Sequence, residues 1–237
     1  MLGRTANSLF WMFRYLERSE NTARLLEADL RMALTRDVVT AEEEWRSVVS
    51  TLGLRQLYKE KGDSFDGHSA WNFVLRDKAN PANIREMFGA VRSNARVART
   101  NISSDVWTAV NESYLKLDPM LSRPISQSAV GEVVSTIRRA STRVHGALDG
   151  SMLRNESYHF ARAGTFIVRA DSTARILDLK YFLLLPSLSY VGSCFDRSLA
   201  QALTAGSTPG KSRRGALSSF YSWTNASRAV SPFAATP

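Results

Sequence analysis

One ten-residue segment occurs twice in this chain, in altered form and without a gap. Residues 18–27 read RSENTARLLE and residues 169–178 read RADSTARILD, a constant offset of 169 − 18 = 151 residues. Both segments set charged residues beside apolar ones at helical spacing, which is the pattern of an amphipathic helix. The repeat therefore predicts two helices that share one chemical face.

The first of these helices is long. Apolar residues recur at helical spacing from Leu9 to Leu34 without an intervening proline, so a helix is expected near residues 4–34. At ~1.5 Å per residue it measures roughly 45 Å, a length that suits a helix bundle. The second is expected near residues 155–184, before Pro186, and no alternating segment indicates a strand. The fold class is therefore predicted as all-α, a long-helix bundle with an internal pseudo-repeat.

Weaker helical patterns lie between the two long helices, with capping residues, glycine or proline at their ends. Residues 59–67 are polar and glycine-bearing and are predicted as a loop. The predicted helices run from Thr40, as a capping box with Glu43, to Gly53; from His68 to Leu75; from Asn80-Pro81 to about Asn101; from Asp105, capped by Ser103 or Ser104, to Leu117, closed by Asp118-Pro119; and from Ala129 to about Leu148.

Charge is distributed unevenly along the chain. The net charge is +9, and from Arg197 onward there are five basic residues and no acid, which leaves 9 − 5 = +4 for the rest. A basic excess confined to a tail is weak evidence for nucleic-acid binding, which needs a clustered basic face. We therefore predict a helical domain at 1–196, a basic, disordered tail at 197–237, and no nucleic-acid partner.

The chain shows no signature of secretion or of membrane insertion. Cys194 is the only cysteine, so no intrachain disulfide can form and a reducing compartment is the simpler expectation. The apolar run from Leu9 to Phe13 is cut by Arg14, and the run from Phe182 to Leu185 is too short to cross a bilayer. A cytoplasmic location without a membrane partner is expected.

The repeated segments predict an ionic cluster. Surface charges have little reason to recur with the Thr-Ala-Arg triplet intact, so we expect an ordered, partly buried network rather than two solvated flanks. Asn94, Arg96 and Arg99 on a third helix resemble the same pattern and are expected to join it. The predicted cluster comprises Arg14, Glu17, Arg18, Glu20, Asn21, Arg24, Asn94, Arg96, Arg99, Arg169, Asp171 and Arg175.

Two roles are open for this cluster. Arginine forks can pair with carboxylates and fix the register of packed helices. Alternatively, clustered Arg, Glu and Asn can bind a carboxylate- or phosphate-bearing substrate in a ligand-binding or catalytic domain.

Familiar catalytic signatures are absent from the sequence. His68, His145 and His159 are scattered without metal-ligand spacing, and there is no glycine-rich phosphate loop or nucleophile elbow. No metal or cofactor is expected, and enzymatic activity is left open with a preference against it.

The N-terminal residues have a specific resemblance to a known family. The segment LGRTANSLFWM at 2–12, followed by RYLERSENTAR at 14–24, resembles the alpha-E domain family of bacterial helical proteins with a Glu-Arg motif. Residues 80–96, 102–107 and 169–186 support the resemblance, which covers about 1–196. It implies an all-helical domain of unestablished activity, associated with an ATP-grasp amide ligase and a transglutaminase-like protein. A helical accessory or scaffold protein with such a partner is the implied function.

The chain departs from that family pattern in two places. Val168-Arg169 stands where the second copy would read Glu-Arg, so one acid is missing. The residues after Ser187 are rich in serine, alanine and glycine, where a leucine-rich ending is expected. We therefore interpret the tail from about Lys211 as a possible frameshift remnant, which the coding DNA would decide.

Overall fold

The computed structural model describes residues 2–33 and 38–184, with side chains given for 2–31 and 42–177. Every regular element in those residues is a helix, which confirms the predicted all-α class. In chain order the helices are α1 (Gly3–Ala33), α2 (Val38–Thr51), α3 (Arg55–Lys61), α4 (Gly67–Leu75), α5 (Ile84–Val97), a 3₁₀ turn (Arg99–Asn101), α6 (Ser104–Leu121), α7 (Gln127–Ser151) and α8 (Glu156–Leu184).

Helix α1 lies at the centre of the core. It packs against α2, α5 and α7. Leu9, Phe13, Leu16, Ala23 and Leu26 recur at intervals of three, four or seven residues on its buried side, and each is fully buried. At about 25 cal/mol per Å² of buried apolar area, a stripe of this length is a main source of stability for a bundle. The two predicted long helices are confirmed as α1 and α8, within a few residues at each end.

The chain divides into two compact units, Met1–Ile176 and Leu177–Pro237. The first contains all the side chains discussed below. The predicted tail, including the proposed frameshift from Lys211 and the lone Cys194, lies outside the described residues. The domain boundary near 196 therefore stays a prediction, as does the pseudo-repeat.

The segment around α2 and α3 differs from its prediction. Helix α2 begins at Val38, so the predicted cap at Thr40 is wrong, because Thr40 lies within the first helical turn. Residues 55–61, partly predicted as loop, form α3. Buried Tyr58 anchors this short helix, and Gly62 ends it in the left-handed conformation with φ of 79°. The loop therefore starts at Gly62 rather than at 59.

Helix α5 begins later than Asn80-Pro81. The Asn80 side chain accepts a hydrogen bond from the Ala82 amide and donates one to the Phe73 carbonyl, which holds the chain in a turn. Asn83 then caps the helix by accepting from the Glu86 amide. The asparagine side chains thus delay the helix beyond the proline that was predicted to start it.

Helix α6 begins as predicted but does not end at Asp118-Pro119. Ser103 caps it by accepting from the Val106 amide, and the helix continues through Pro119 to Leu121. A proline deprives the carbonyl four residues earlier of its helical donor. That carbonyl belongs to Leu115, a residue that is 56% exposed, so water can donate a hydrogen bond to the carbonyl oxygen. Fully buried Leu121 favours the extra turn.

A buried carboxyl group lies near the far end of α1. Asp29 is 5% exposed, and its Oδ2 atom has no hydrogen-bond partner. Burial, followed by the negative charge of Glu44 on α2, raises the pKa of Asp29 from an ordinary 3.8 to about 7. This carboxyl group therefore opposes folding whenever it is ionised.

Replacing Asp29 by asparagine is expected to stabilise the protein at pH 8 by on the order of 2 kcal/mol. Because the pKa is raised in the folded state, Asp29 does not oppose folding below pH 3.8, where it is protonated in both states. Its contribution to the free energy of unfolding becomes progressively less favourable as the pH rises through 7. The gain should therefore vanish at pH 4. Urea unfolding at both pH values measures the gain, with Glu132→Gln at an exposed position of α7 as the control. An equal gain at both pH values would contradict the assignment.

Candidate functional site: an ion network on helix α1

The Glu17 carboxylate lies at the meeting point of three helices. It is 3% exposed on α1. Arg169 on α8 donates from Nε to Glu17 Oε1 at 2.8 Å and from a terminal nitrogen to Oε2 at 3.3 Å. His145 Nε2 on α7 lies 3.3 Å from the same Oε2. The Glu17 carboxylate on α1 therefore contacts side chains of both α7 and α8.

Two opposing effects set the ionisation of Glu17. Burial acts to raise its pKa, but His145 and Arg169 together outweigh burial and hold the pKa of Glu17 below its ordinary value. The same pairing raises the pKa of Arg169. The pair is therefore ionised at neutral pH, and two hydrogen bonds from one guanidinium fix its direction as well as its charge.

Glu20, one turn further along α1, faces α7. It accepts from the Ser141 hydroxyl at 2.6 Å and from Arg24 of its own helix at 2.6 Å. Further along, Arg138 of α7 donates to Glu27, which also accepts from Arg31. Because residues 20 and 27 of α1 meet residues 141 and 138 of α7, the two helices run antiparallel along this line.

Helices α1 and α8 run in the same direction where they touch. Asn21 Nδ2 donates to Ser172 Oγ at 3.0 Å, two residues that stand at equivalent positions of the repeated segments. At Gly164 the backbone of α8 lies directly against the backbone of α1, because a Cβ atom added to Gly164 would overlap the Phe10 carbonyl oxygen. Glycine at 164 is therefore required for this approach of the two backbones.

The arginines of the cluster differ in what they bind. Arg169 and Arg24 form ion pairs with Glu17 and Glu20, respectively. Arg175 donates a hydrogen bond to Asp171 of its own helix at 3.0 Å. Arg14 instead lies over the Trp11 ring, 4.8 Å from its centre, and makes no hydrogen bond to a described residue. Arg18 also lacks an ion pair within the described part of the chain.

The third predicted helix does not join the network. The Asn94 side chain donates to the Ala90 carbonyl of its own helix, α5. Arg96 lines a shallow groove between α5 and α6, beside Arg92 and Tyr114. Arg99 is exposed and lies over the Trp107 ring. The other nine of the twelve predicted residues lie on α1 and α8, which are joined by the contacts of Glu17 with Arg169 and of Asn21 with Ser172, whereas these three lie elsewhere.

The sequence prediction missed several members of the network, among them Ser141 and His145 of α7. Their spacing of four residues on one helix places both on the same side of α7, next to Arg138. That spacing could have indicated from the sequence that Ser141 and His145 act together. It does not indicate which neighbouring helix this side of α7 faces. Only the packing of α7 against α1 turns these residues towards Glu17 and Glu20.

Glu17, Glu20 and His145 also have the chemistry of metal ligands. One ligand atom from each lies within 4.8 Å of the others, an arrangement that the scattered histidines of the sequence did not suggest. Both carboxylates already accept from guanidinium groups, however, and a cation would have to compete with Arg169 and Arg24. The described geometry is that of an interhelical ion-pair network.

Fold and site together define a class: an all-α bundle protein whose first helix carries buried glutamates paired across helix interfaces. No helix among those described combines the length and apolar character needed to cross a bilayer. The chain belongs to the Alpha-E family, whose model matches residues 1–208 and is described as a predicted alpha-helical domain with a conserved ER motif. That motif is Glu17-Arg18 here, and the predicted family is confirmed. No curated protein and no solved structure matches the chain.

Proposed function

We propose that this chain is a helical accessory or scaffold protein that docks on an ATP-grasp-type amide ligase or on a transglutaminase-like protein. The observation that supports this proposal is that the acids of the network are engaged inside the protein. Glu17 and Glu20 are buried and accept hydrogen bonds from arginine and serine side chains. Carboxylates held in this way fix helix register, and they are not free to act as a general base on a substrate.

The identity of the partner comes from the family resemblance and is the part of the proposal most in need of a test. The chain and each candidate partner from the same genome are purified and mixed, and complex formation is measured by size-exclusion chromatography with light scattering. A stable complex with one partner, together with a change in that partner's ligase or acyl-transfer activity, is the expected result. Absence of a complex at tens of micromolar with both candidates would overturn the proposal.

A cluster variant separates the accessory role from a catalytic one. The Arg24 side chain is 56% exposed and its ion pair within the described residues is with Glu20 of its own helix, so Arg24→Met should leave the fold intact. For an accessory protein, this variant should form the same complex and support the same partner activity as the wild type. Loss of activity with complex formation retained would instead favour the alternative, a ligand-binding or catalytic domain built on the cluster.

A further inference from the structure

Two arginines on α1 lack the acidic partners that the rest of the network has. Arg14 and Arg18 lie one helical turn apart, and neither guanidinium makes a hydrogen bond or ion pair with a described residue. The Nε atom of Arg14 is buried without a hydrogen-bond partner. Asp171 of α8, whose charge acts on Arg18, is already held by Arg175. Among the described residues, no acid is therefore paired with either of these two positive charges.

This arrangement is unfavourable as it stands. Burial lowers the pKa of Arg18, the like charge of Arg14 lowers it further, and Asp171 only partly compensates. A partly buried charge without a partner loses hydration that nothing replaces. An anion bound between the two guanidinium groups would remove that cost.

The repeat explains why the acid is missing at this position. In the first copy Glu17 precedes Arg18, whereas in the second Val168 precedes Arg169. The contacts of Glu17 with Arg169 and of Asn21 with Ser172 set a parallel register between α1 and α8. At the offset of 151 residues, residue 17 corresponds to residue 168, and residue 169 corresponds to residue 18. The counterpart of the Glu17–Arg169 pair is therefore the pair of Val168 and Arg18. On this correspondence Val168, which is 2% exposed, is the counterpart of the acid Glu17 and would be the partner of Arg18.

We propose that Arg14 and Arg18 bind an oxyanion, a phosphate or carboxylate group, in the place that a carboxylate at position 168 would fill. Guanidinium forks match the oxygens of either group bidentately, which suits them to such a ligand better than lysine would. The anion belongs to a small molecule or to the end group of a larger one. This inference does not depend on whether the chain docks on a ligase.

Thermal melting with added anions tests the site. Inorganic phosphate and acetate are titrated separately at constant ionic strength, and a saturable rise in the Tm of the wild type is expected with at least one. The Arg18→Met variant should bind the anion at least tenfold more weakly, because it lacks a charged donor. It should also melt no lower than the wild type when neither anion is present. Arg55→Met, at an exposed position of α3, is the matched control and should keep the full response.

Supplying the missing acid within the chain gives a second test. Val168→Glu should pair with Arg18, melt higher than Val168→Gln, and lose the response to added anion, while Val168→Gln retains it. If the buried glutamate prevents folding, Arg18→Met still decides the question. A wild-type response no stronger than that of Arg18→Met, or no saturable response to either anion, would overturn the proposal. A response to phosphate alone assigns a phosphate group, and a response to acetate alone assigns a carboxylate.

Discussion

Replacing Gly164 by alanine is expected to destabilise the protein by about 3 kcal/mol, measured by urea unfolding. The added Cβ would overlap the Phe10 carbonyl oxygen and lie 3.1 Å from its carbon atom. Both are backbone atoms of a central helix, so the strain cannot be relieved by turning a side chain. Helix α8 would have to move away from α1, and the hydrogen bond between Asn21 and Ser172 would weaken with it.

A second glycine provides a control of opposite sign. Gly131 lies on the exposed side of α7, and a Cβ added there meets nothing within 4 Å. Gly131→Ala should therefore stabilise the protein by roughly 0.5–1 kcal/mol, through the better helix propensity of alanine alone. If Gly164→Ala behaved like Gly131→Ala, the close approach of α1 and α8 would be wrong.

Replacing Arg169 and replacing Glu17 should lower the free energy of unfolding by different amounts, although the two residues form one ion pair. Arg169→Met leaves the Glu17 carboxylate buried beside His145 without a guanidinium donor among the described residues, and should cost on the order of 3 kcal/mol. Glu17→Leu leaves a guanidinium that is 49% exposed and can turn to water, so about 1 kcal/mol is expected. Removing the more exposed partner is therefore the more damaging change.

The pH dependence of unfolding checks this explanation. The pKa of Glu17 is lowered in the folded protein, so its pairing stabilises the fold above the ordinary pKa near 4.5 and is lost as the pH falls below it. The difference between wild type and Arg169→Met should therefore shrink below pH 4. A cost independent of pH would indicate that Arg169 acts through packing, and equal costs for the two variants would contradict the asymmetry.

The amino-acid sequence by itself determined the two long helices and indicated that charged residues of α1 and α8 belong to one cluster. Apolar periodicity depends only on residue spacing, so α1 and α8 could be predicted within a few residues at their ends. Helix boundaries were less certain, because Asn80 and Asn83 hold a turn and buried Leu121 extends a helix past proline. Those outcomes depend on contacts with residues far away in the chain or on competing side-chain hydrogen bonds.

The tertiary structure alone decided how the charged residues are paired. The repeat indicated that residues of α1 and α8 belong together, but periodicity places side chains on a helix without saying which neighbour the helix meets. It therefore could not show that Ser141 and His145 of α7 complete the network or that Arg96 of α5 faces a different groove. Nor could it show that Glu17 meets side chains of both α7 and α8 while Arg18, the next residue, forms no ion pair within the described part of the chain. Adjacent residues on a helix point about 100° apart, so the packing of three helices gave the two halves of one motif different surroundings.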